Sequence, residues 1–229
     1  MRLFKDKIAV MIMGAPGSGK GTQAELLSKK LDLFHFDTGR FLRKTLYSPR
    51  AKNNKEIQRE RKLNEAGKLN TPSWVLKIVS GRVREISKLG QSLIFSGSPR
   101  TEFEAFGDSK NKGLIEALEK EYGKKNIFVF SMDVSEEDSI KRNKKRMSCS
   151  VCATPIMSGK KKAALCPFCG GKLSARKDDN EETIKKRFEV YDNETLPILD
   201  YYENTGADVS DVDGIGEIEE IHQRIVEEA

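Results

Sequence analysis

A glycine-rich segment near the amino terminus has the composition of a phosphate-binding loop. Residues 14–22 read GAPGSGKGT, which approaches the pattern G-x-x-x-x-G-K-[ST], with a glycine at the hydroxyl position and the threonine one residue later. Glycines let successive backbone N–H groups wrap a phosphate at a helix start, and Lys20 adds a mobile positive charge. An apolar run before the loop favours this interpretation over an ordinary glycine turn. The residues predicted to bind a nucleotide are Gly14, Ala15, Pro16, Gly17, Ser18, Gly19, Lys20, Gly21 and Thr22.

The four cysteines form two C-x-x-C pairs, Cys149 with Cys152 and Cys166 with Cys169. Paired knuckles at this spacing are typical of a tetrahedral Cys₄ zinc site, which leaves no open position for catalysis. The polar segment between the pairs is too small to fold alone, so bound metal would supply much of its folding free energy. A zinc ribbon that docks on RNA is the alternative, although Phe168 is the one aromatic residue in this segment.

Length and composition limit the possible classes of protein. The chain has 229 residues, 37% of them hydrophobic, and a formal net charge of +6. Such a length allows one substantial core with insertions. The basic balance suits anionic ligands, and a solvated lysine-rich surface has the same composition. No segment approaches the ~20 apolar residues of a membrane span, so we expect a soluble, cytoplasmic protein.

Short apolar runs alternate with helical periodicity, which is typical of a parallel sheet covered by helices on both faces. Two stretches, 38–80 and 147–177, interrupt the alternation. We expect them to be insertions at strand ends, where doubly wound folds bind ligands. The strands are predicted at 8–13, 33–37, 92–97, 126–134 and 207–212, and the first helix at 21–31.

Several segments, in one order along nearly the whole chain, resemble those of adenylate kinases. They are GAPGSGKGTQ (14–23), TGRFLR (38–43), EAGKLNTPSWV (65–75), GSPRT (97–101), the cysteine pairs and RKDDNEETIKKR (176–187). The resemblance implies an α/β P-loop NTPase fold with a five-stranded parallel sheet, and transfer of a phosphoryl group from ATP to AMP with magnesium. It also implies a monomer without membrane or nucleic-acid partners. The implied division is core 1–37, helical monophosphate-binding insertion 38–80, core 81–146, zinc lid 147–177 and core 178–229.

The resemblance also carries roles to individual residues. Lys20 would meet the transferred phosphate, and Arg43 and Arg100 would hold the monophosphate's phosphate through planar guanidinium forks. The residues implied in catalysis are Lys20, Arg100, Arg146, Arg176 and Arg187. Those implied in monophosphate binding are Thr38, Gly39, Arg43, Lys68, Leu69, Asn70, Gly97, Arg100, Glu104, Arg176 and Arg187.

Four arginines flank the cysteine-rich segment and would close over the phosphates. Arg142 and Arg146, implied in ATP binding, are predicted at positions i and i+4 on one helical face. Arg176 and Arg187, eleven residues apart, are predicted about three helical turns from each other. The acidic pair at 178–179 would hinge and orient these arginines, or serve as ordinary helix-start acids.

The chain departs from the family pattern at three side chains. Ser96 stands where the family has an aspartate that holds water on magnesium, and Asp133 at the next strand end is the candidate to compensate. Arg40 replaces an acid, and an insertion of about four residues lengthens the same segment. Glu104 replaces the glutamine that reads adenine. An ionised carboxylate only accepts hydrogen bonds, which suits guanine because guanine presents two donors, N1–H and its amino group. AMP is the expected substrate, with another monophosphate such as GMP as the alternative.

Overall fold

The computed structural model describes residues 6–66, 68–152, 154–157, 164–175 and 179–228. The strands are β1 (Ala9–Gly14), β2 (Phe34–Asp37), β3 (Leu93–Ser96), β4 (Ile127–Asp133), β5 (Arg146–Cys149), β6 (Pro155–Met157), β7 (Leu173–Ala175) and β8 (Asp208–Asp213). The helices are α1 (Lys20–Leu31), α2 (Thr38–Leu46), α3 (Lys55–Glu65), α4 (Pro72–Lys88), α5 (Glu102–Phe106), α6 (Leu114–Tyr122), α7 (Glu136–Lys145), α8 (Glu181–Val190), α9 (Leu196–Asn204) and α10 (Ile218–Glu227).

Five strands form one parallel sheet in the order β2-β3-β1-β4-β8. The predicted α/β fold is confirmed, and each strand's bounds lie within one residue of the predicted ones. At the carboxyl edge Ser96 pairs with Ile12 of β1 on one side and with Asp37 of β2 on the other. The loops that follow these three strands therefore leave the sheet side by side.

Helices cover both faces of the sheet, and successive residues of each strand point to opposite faces, so both sets of side chains are buried. Val10 and Ile12 of β1 pack with side chains of α1 and α10, whereas Ala9 and Met11 pack with side chains of α4, α6 and α9. This burial on two sides explains why β1 reads as a continuous apolar run rather than an alternating one. The sheet and the helices packed on it thus hold the ends of the phosphate loop, which joins β1 to α1.

The segment between β2 and β3 is helical, as predicted, and one buried acid joins its parts. The Glu60 side chain on α3 is fully buried and accepts hydrogen bonds from Thr71 N and Thr71 Oγ1, each at 2.7 Å. Asn70 Nδ2 donates to the backbone carbonyl of the same glutamate at 2.8 Å. Glu60 thus fixes α3 to the start of α4, and α4 then continues without a break past residue 80.

The cysteine-rich segment forms a separate three-stranded antiparallel sheet in the order β6-β5-β7. The prediction that Arg142 and Arg146 share a helical face is wrong, because α7 ends at Lys145 and Arg146 begins β5 in an extended conformation. The three-turn spacing predicted for Arg187 is also wrong, because α8 begins only at Glu181. The predictions for Arg176 and Asp178 fall outside the described residues.

None of the helices in the described ranges combines the length and the apolar composition that crossing a bilayer requires.

Candidate functional site

The phosphate loop lies between β1 and α1, as predicted, and α1 begins at Lys20. Gly17 has a positive φ of 81°, and a Cβ placed there would lie 2.5 Å from Asn143 Nδ2 and 2.7 Å from Ser139 Oγ. Only glycine therefore fits where the loop meets α7. The Ser18 hydroxyl is buried and has no hydrogen-bond partner among the described residues. A loop that ends in a helix amino terminus and holds an unpaired buried hydroxyl is suited to an anion.

Lys20 is surrounded by positive charge. Its Nζ donates a hydrogen bond to Ala15 O at 2.9 Å, across the loop. Burial, followed by the charges of Arg100, Arg146 and Arg187, lowers the pKa of Lys20 to about 7, while Asp37 acts in the opposite direction. These groups come from different parts of the chain and repel one another, so a bound polyanion would stabilise the cluster.

Arg100 lies in the turn that follows β3. Its Nε donates to Gly97 O at 2.9 Å, and its own carbonyl accepts a hydrogen bond from Thr195 Oγ1 at 2.8 Å. Burial, followed by the positive charge of Arg187, lowers the pKa of the Arg100 guanidinium, and Arg43 contributes in the same direction. The structure therefore brings together three of the arginines predicted to grip phosphates.

Arg146 is oriented by an ion pair with a buried acid. Its Nε donates to Asp179 Oδ2 at 2.9 Å, and Nη2 pairs with the other carboxylate oxygen. The Asp179 side chain is 2% exposed, so the pair is desolvated and the guanidinium plane is fixed. This contact supports the predicted orienting role of Asp179. Arg142 lies on α7, half-buried, four residues before Arg146.

The residues predicted to bind the monophosphate include two at the start of α2 and three in the loop before α4. Thr38 begins α2, and its hydroxyl is buried without a hydrogen-bond partner in the described part of the chain. A Cβ added to Gly39 would lie 3.4 Å from Arg43 Nη1, so the guanidinium passes close to the backbone of Gly39. In the loop at 68–70, the N–H of Lys68 is occupied by Leu63 O at 3.0 Å. The predicted contacts of Lys68, Leu69 and Asn70 with a nucleotide stay predictions.

The positions at which the sequence departs from the family pattern have different surroundings in the structure, as does the acid expected to compensate for one of them. The Ser96 hydroxyl lies 2.9 Å from His35 Nε2. Arg40 folds back on Asp37, whose Oδ1 accepts its backbone N–H at 2.9 Å. Asp133 is exposed at the end of β4 and lines a cavity together with Ala15 of the phosphate loop, while the charge of Asp37 acts to raise the pKa of Lys20. Asp37, which the sequence analysis did not single out, is thus a second acid beside the phosphate loop.

Glu104 is buried rather than solvated. Its side chain accepts a hydrogen bond from Arg100 N at 2.9 Å, through Oε2. Burial raises the pKa of Glu104 to about 6, against the opposing effects of the Arg100 hydrogen bond and charge. A carboxyl group that takes up a proton in this range can donate as well as accept a hydrogen bond.

We expect Glu104→Gln to remove one component of the pH dependence of stability. Because the folded-state pKa lies above the usual 4.5, the native state binds the proton more tightly, and stability falls as pH rises from 4.5 to about 6. The glutamine variant lacks this loss, so its free energy of unfolding relative to that of wild type should rise by up to about 2 kcal/mol between pH 4.5 and 6. Urea unfolding at several pH values measures the gain. The exposed neighbour Glu102→Gln serves as control, and parallel curves for Glu104→Gln and wild type would refute the assignment.

The four cysteines lie together, as predicted. The Sγ atoms of Cys149 and Cys169 are 3.4 Å apart and those of Cys152 and Cys166 are 3.7 Å apart. All four sulfurs lie within 4.8 Å of one another. A tetrahedron with Zn–S bonds of about 2.3 Å has S···S edges of about 3.8 Å, so the donor set and its spacing fit zinc.

The chain is similar to known proteins over most of its length. The family model described as adenylate kinase matches residues 12–207. A protein named adenylate kinase from Caldicellulosiruptor saccharolyticus is 36% identical over 210 residues, covering 89% of this chain and 90% of the relative. Proteins of the same name from Dehalococcoides mccartyi and Methanothrix thermoacetophila are 35% and 33% identical over 223 residues, each with at least 94% of both chains covered.

Proposed function

The chain belongs to the adenylate kinase family, and from that premise we propose that it transfers the terminal phosphoryl group of ATP to AMP, giving two molecules of ADP. The observation that carries the proposal is the cluster of Lys20, Arg100, Arg146 and Arg187 at the phosphate loop. Neither the relatives nor the described residues support the alternative of an RNA-binding module, since the relatives are named as kinases.

The residues of the site supply positioning and charge. Phosphoryl transfer spreads negative charge over the equatorial oxygens of the transferred group and needs in-line alignment more than covalent chemistry. The phosphate loop would hold ATP, Lys20 would neutralise the transferred group, and Arg100 with Arg43 would hold the acceptor phosphate. Arg146 and Arg187 would then close over the bridging oxygens. No general base is required.

When bound with ATP, magnesium would supply neutralisation of the negative charge that develops on the phosphates. The chain offers a fitting environment, because Asp37 raises the pKa of both Lys20 and Arg100 and so acts within reach of the phosphates. Magnesium is commonly held through one or two carboxylates, substrate phosphates and several waters. Asp37 and Ser96, which end neighbouring strands, are the residues that would hold those waters.

The zinc-stapled sheet acts as a lid. Structural zinc would fix the sheet formed by β5, β6 and β7, so that Arg146, at the start of β5, moves with it as a rigid part. Closure of segments 147–177 and 38–80 over both nucleotides would exclude the water that otherwise hydrolyses ATP. Cytoplasmic location and a monomeric state stay predictions, and sedimentation would test the second.

The base of the acceptor is tested by comparing kcat/KM for AMP, GMP, CMP and UMP in a coupled assay. We expect AMP to be preferred. If Glu104 reads the base, Glu104→Gln should change the AMP to GMP ratio about tenfold, the size of one mismatched buried polar pair. An unchanged ratio in that variant would remove Glu104 from base recognition, and a wild-type preference for GMP would establish the alternative substrate.

We expect ATP binding near pH 8 to take up close to one proton. The pKa of Lys20 is about 7 without ligand, so much of the side chain is neutral at that pH, and bound phosphates favour its protonated form. ATP affinity should therefore fall by up to about tenfold per pH unit above 7. Calorimetry in buffers of different ionisation enthalpy measures the proton uptake. Lys20→Arg keeps the charge without the titration, and equal uptake in that variant would show that another group is responsible.

A further inference from the structure

Three side chains form a continuous hydrogen-bonded chain beside the phosphate loop. Glu25 Oε2 on α1 lies 3.0 Å from His35 Nδ1 on β2, and His35 Nε2 lies 2.9 Å from Ser96 Oγ at the end of β3. The side chain of His35 is 9% exposed and Ser96 is 4% exposed, whereas Glu25 reaches solvent. The chain thus runs from the surface to the carboxyl edge of the sheet.

The carboxylate of Glu25 requires a proton on the ring nitrogen that it contacts. An ionised carboxylate only accepts, so His35 Nδ1 carries the proton and donates to Glu25. In the Nδ1-protonated tautomer of the imidazole, Nε2 has a lone pair, which can accept the hydroxyl proton of Ser96. The hydrogen bond from His35 is the main cause that holds the pKa of Glu25 below its usual range. The hydroxyl proton of Ser96 therefore points at His35 and leaves its oxygen lone pairs for another donor.

We propose that Glu25 and His35 are positioning residues that orient the Ser96 hydroxyl as a hydrogen-bond acceptor for a water of the magnesium–nucleotide complex. The inference rests on the proposed function. In this arrangement the negative charge of Glu25 polarises the hydroxyl through the imidazole, so an uncharged serine acquires part of the acceptor strength of an acid.

The position of Ser96 supports this role. Ser96 pairs in register with Asp37, the acid whose charge acts on Lys20, and with Ile12, two residues before the phosphate loop begins. Its side chain lies on the same face of the sheet as His35, the face covered by α1, whose amino terminus meets the phosphates. Asp37 is the competing group, since a carboxylate beside Ser96 could hold the same water alone.

The tautomer of His35 is the first test, and it requires no activity. The chain has two histidines, so ¹⁵N spectra of the imidazoles can be assigned with a single His222→Gln variant. We expect His35 to be protonated at Nδ1 in wild type and to shift toward the Nε2-protonated form in Glu25→Gln, where the amide can donate. Lys29→Ala is the matched control, because it removes the exposed partner of Glu25 and leaves His35 untouched.

The second test is the affinity of Mn²⁺ for the protein–ATP complex, measured by electron paramagnetic resonance with Mn²⁺ as the probe. Glu25→Gln and Ser96→Ala should each weaken Mn²⁺ binding about three- to tenfold, the net range of one ordinary hydrogen bond. The double variant should be no weaker than Ser96→Ala alone, because both changes remove the same acceptor. In a Ser96→Asp background, which supplies a carboxylate directly, Glu25→Gln should have no effect.

An Nε2-protonated His35 in wild type, or additive losses in the double variant, would overturn the inference. A loss of Mn²⁺ affinity in Asp37→Asn with none in Ser96→Ala would assign the water to Asp37 instead and would likewise overturn it. Failure of the proposed function is distinguishable, because wild type would then fail to bind Mn²⁺–ATP or to transfer a phosphoryl group. Ser96→Asp keeps a side chain that can pair with His35, which guards against loss of the fold.

Discussion

Lys20→Ala is expected to lower kcat/KM for phosphoryl transfer by at least ~10²-fold, the scale of one lost electrostatic contact in a transition state. The side chain is the mobile cation of the phosphate loop, and three arginines face it. Its removal takes away a positive charge that stabilises the transition state, in which the phosphoryl group leaves ATP, more than it stabilises bound ATP. The thermal midpoint should not fall, because burial and neighbouring arginines disfavour the charged amine in the free protein.

Steady-state kinetics with ATP and AMP measure the effect, with Lys30→Ala as the matched control. Lys30 is exposed and lies near the opposite end of the same helix, so its loss should leave kcat/KM unchanged. Activity of Lys20→Ala within threefold of wild type would remove the lysine from the mechanism.

Zinc removal should unfold the lid while the core stays folded. Purified protein is expected to carry about one zinc per chain, because the cysteines form one Cys₄ site. Structural zinc provides about 10–16 kcal/mol of apparent binding free energy in small zinc modules, far more than the short strands β5–β7 can supply by packing. Cys149→Ser should therefore lose the metal and most of the activity, since Arg146 is the first residue of β5.

Metal analysis by mass spectrometry and hydrogen exchange of the lid peptides provide the readouts. Phe168→Ala is the matched control, because Phe168 is 78% exposed within the same knuckle and donates no ligand. A wild-type protein without zinc and with four freely titrating thiols would refute the site. Full activity in a zinc-free Cys149→Ser variant would separate the metal from the lid's function.

The sheet could be predicted because its strands are buried on both faces. In β1 the side chains alternate between the two faces: Val10 and Ile12 pack on one face and Met11 on the other. Because both faces are buried, every position is apolar, and the sequence shows an uninterrupted apolar run. The phosphate loop and the cysteine pairs were likewise predictable, since the chemistry of each depends on residues a few positions apart. Their placement in the structure matches the prediction.

The contacts whose partners the sequence left unspecified join distant parts of the chain. Asp179, one of the two acids expected to orient the arginines, pairs with Arg146, 33 positions away, so the arginine is oriented by that acid rather than by a helical face. Ser96 meets His35 from 61 positions away because β2 and β3 pair in parallel. Register between strands depends on tertiary packing, so a single sequence gives little warning of the contact between Ser96 and His35.

Transfer of a labelled phosphoryl group tests the proposed reaction most directly. The protein is incubated with AMP and with ATP carrying ³²P in its γ-phosphoryl group, and the products are separated. We predict that the label appears in the β position of ADP formed from AMP, one for each AMP consumed, with little inorganic phosphate. Label released as inorganic phosphate at the same rate with and without AMP, or label that stays on ATP in the presence of AMP, would contradict an adenylate kinase mechanism.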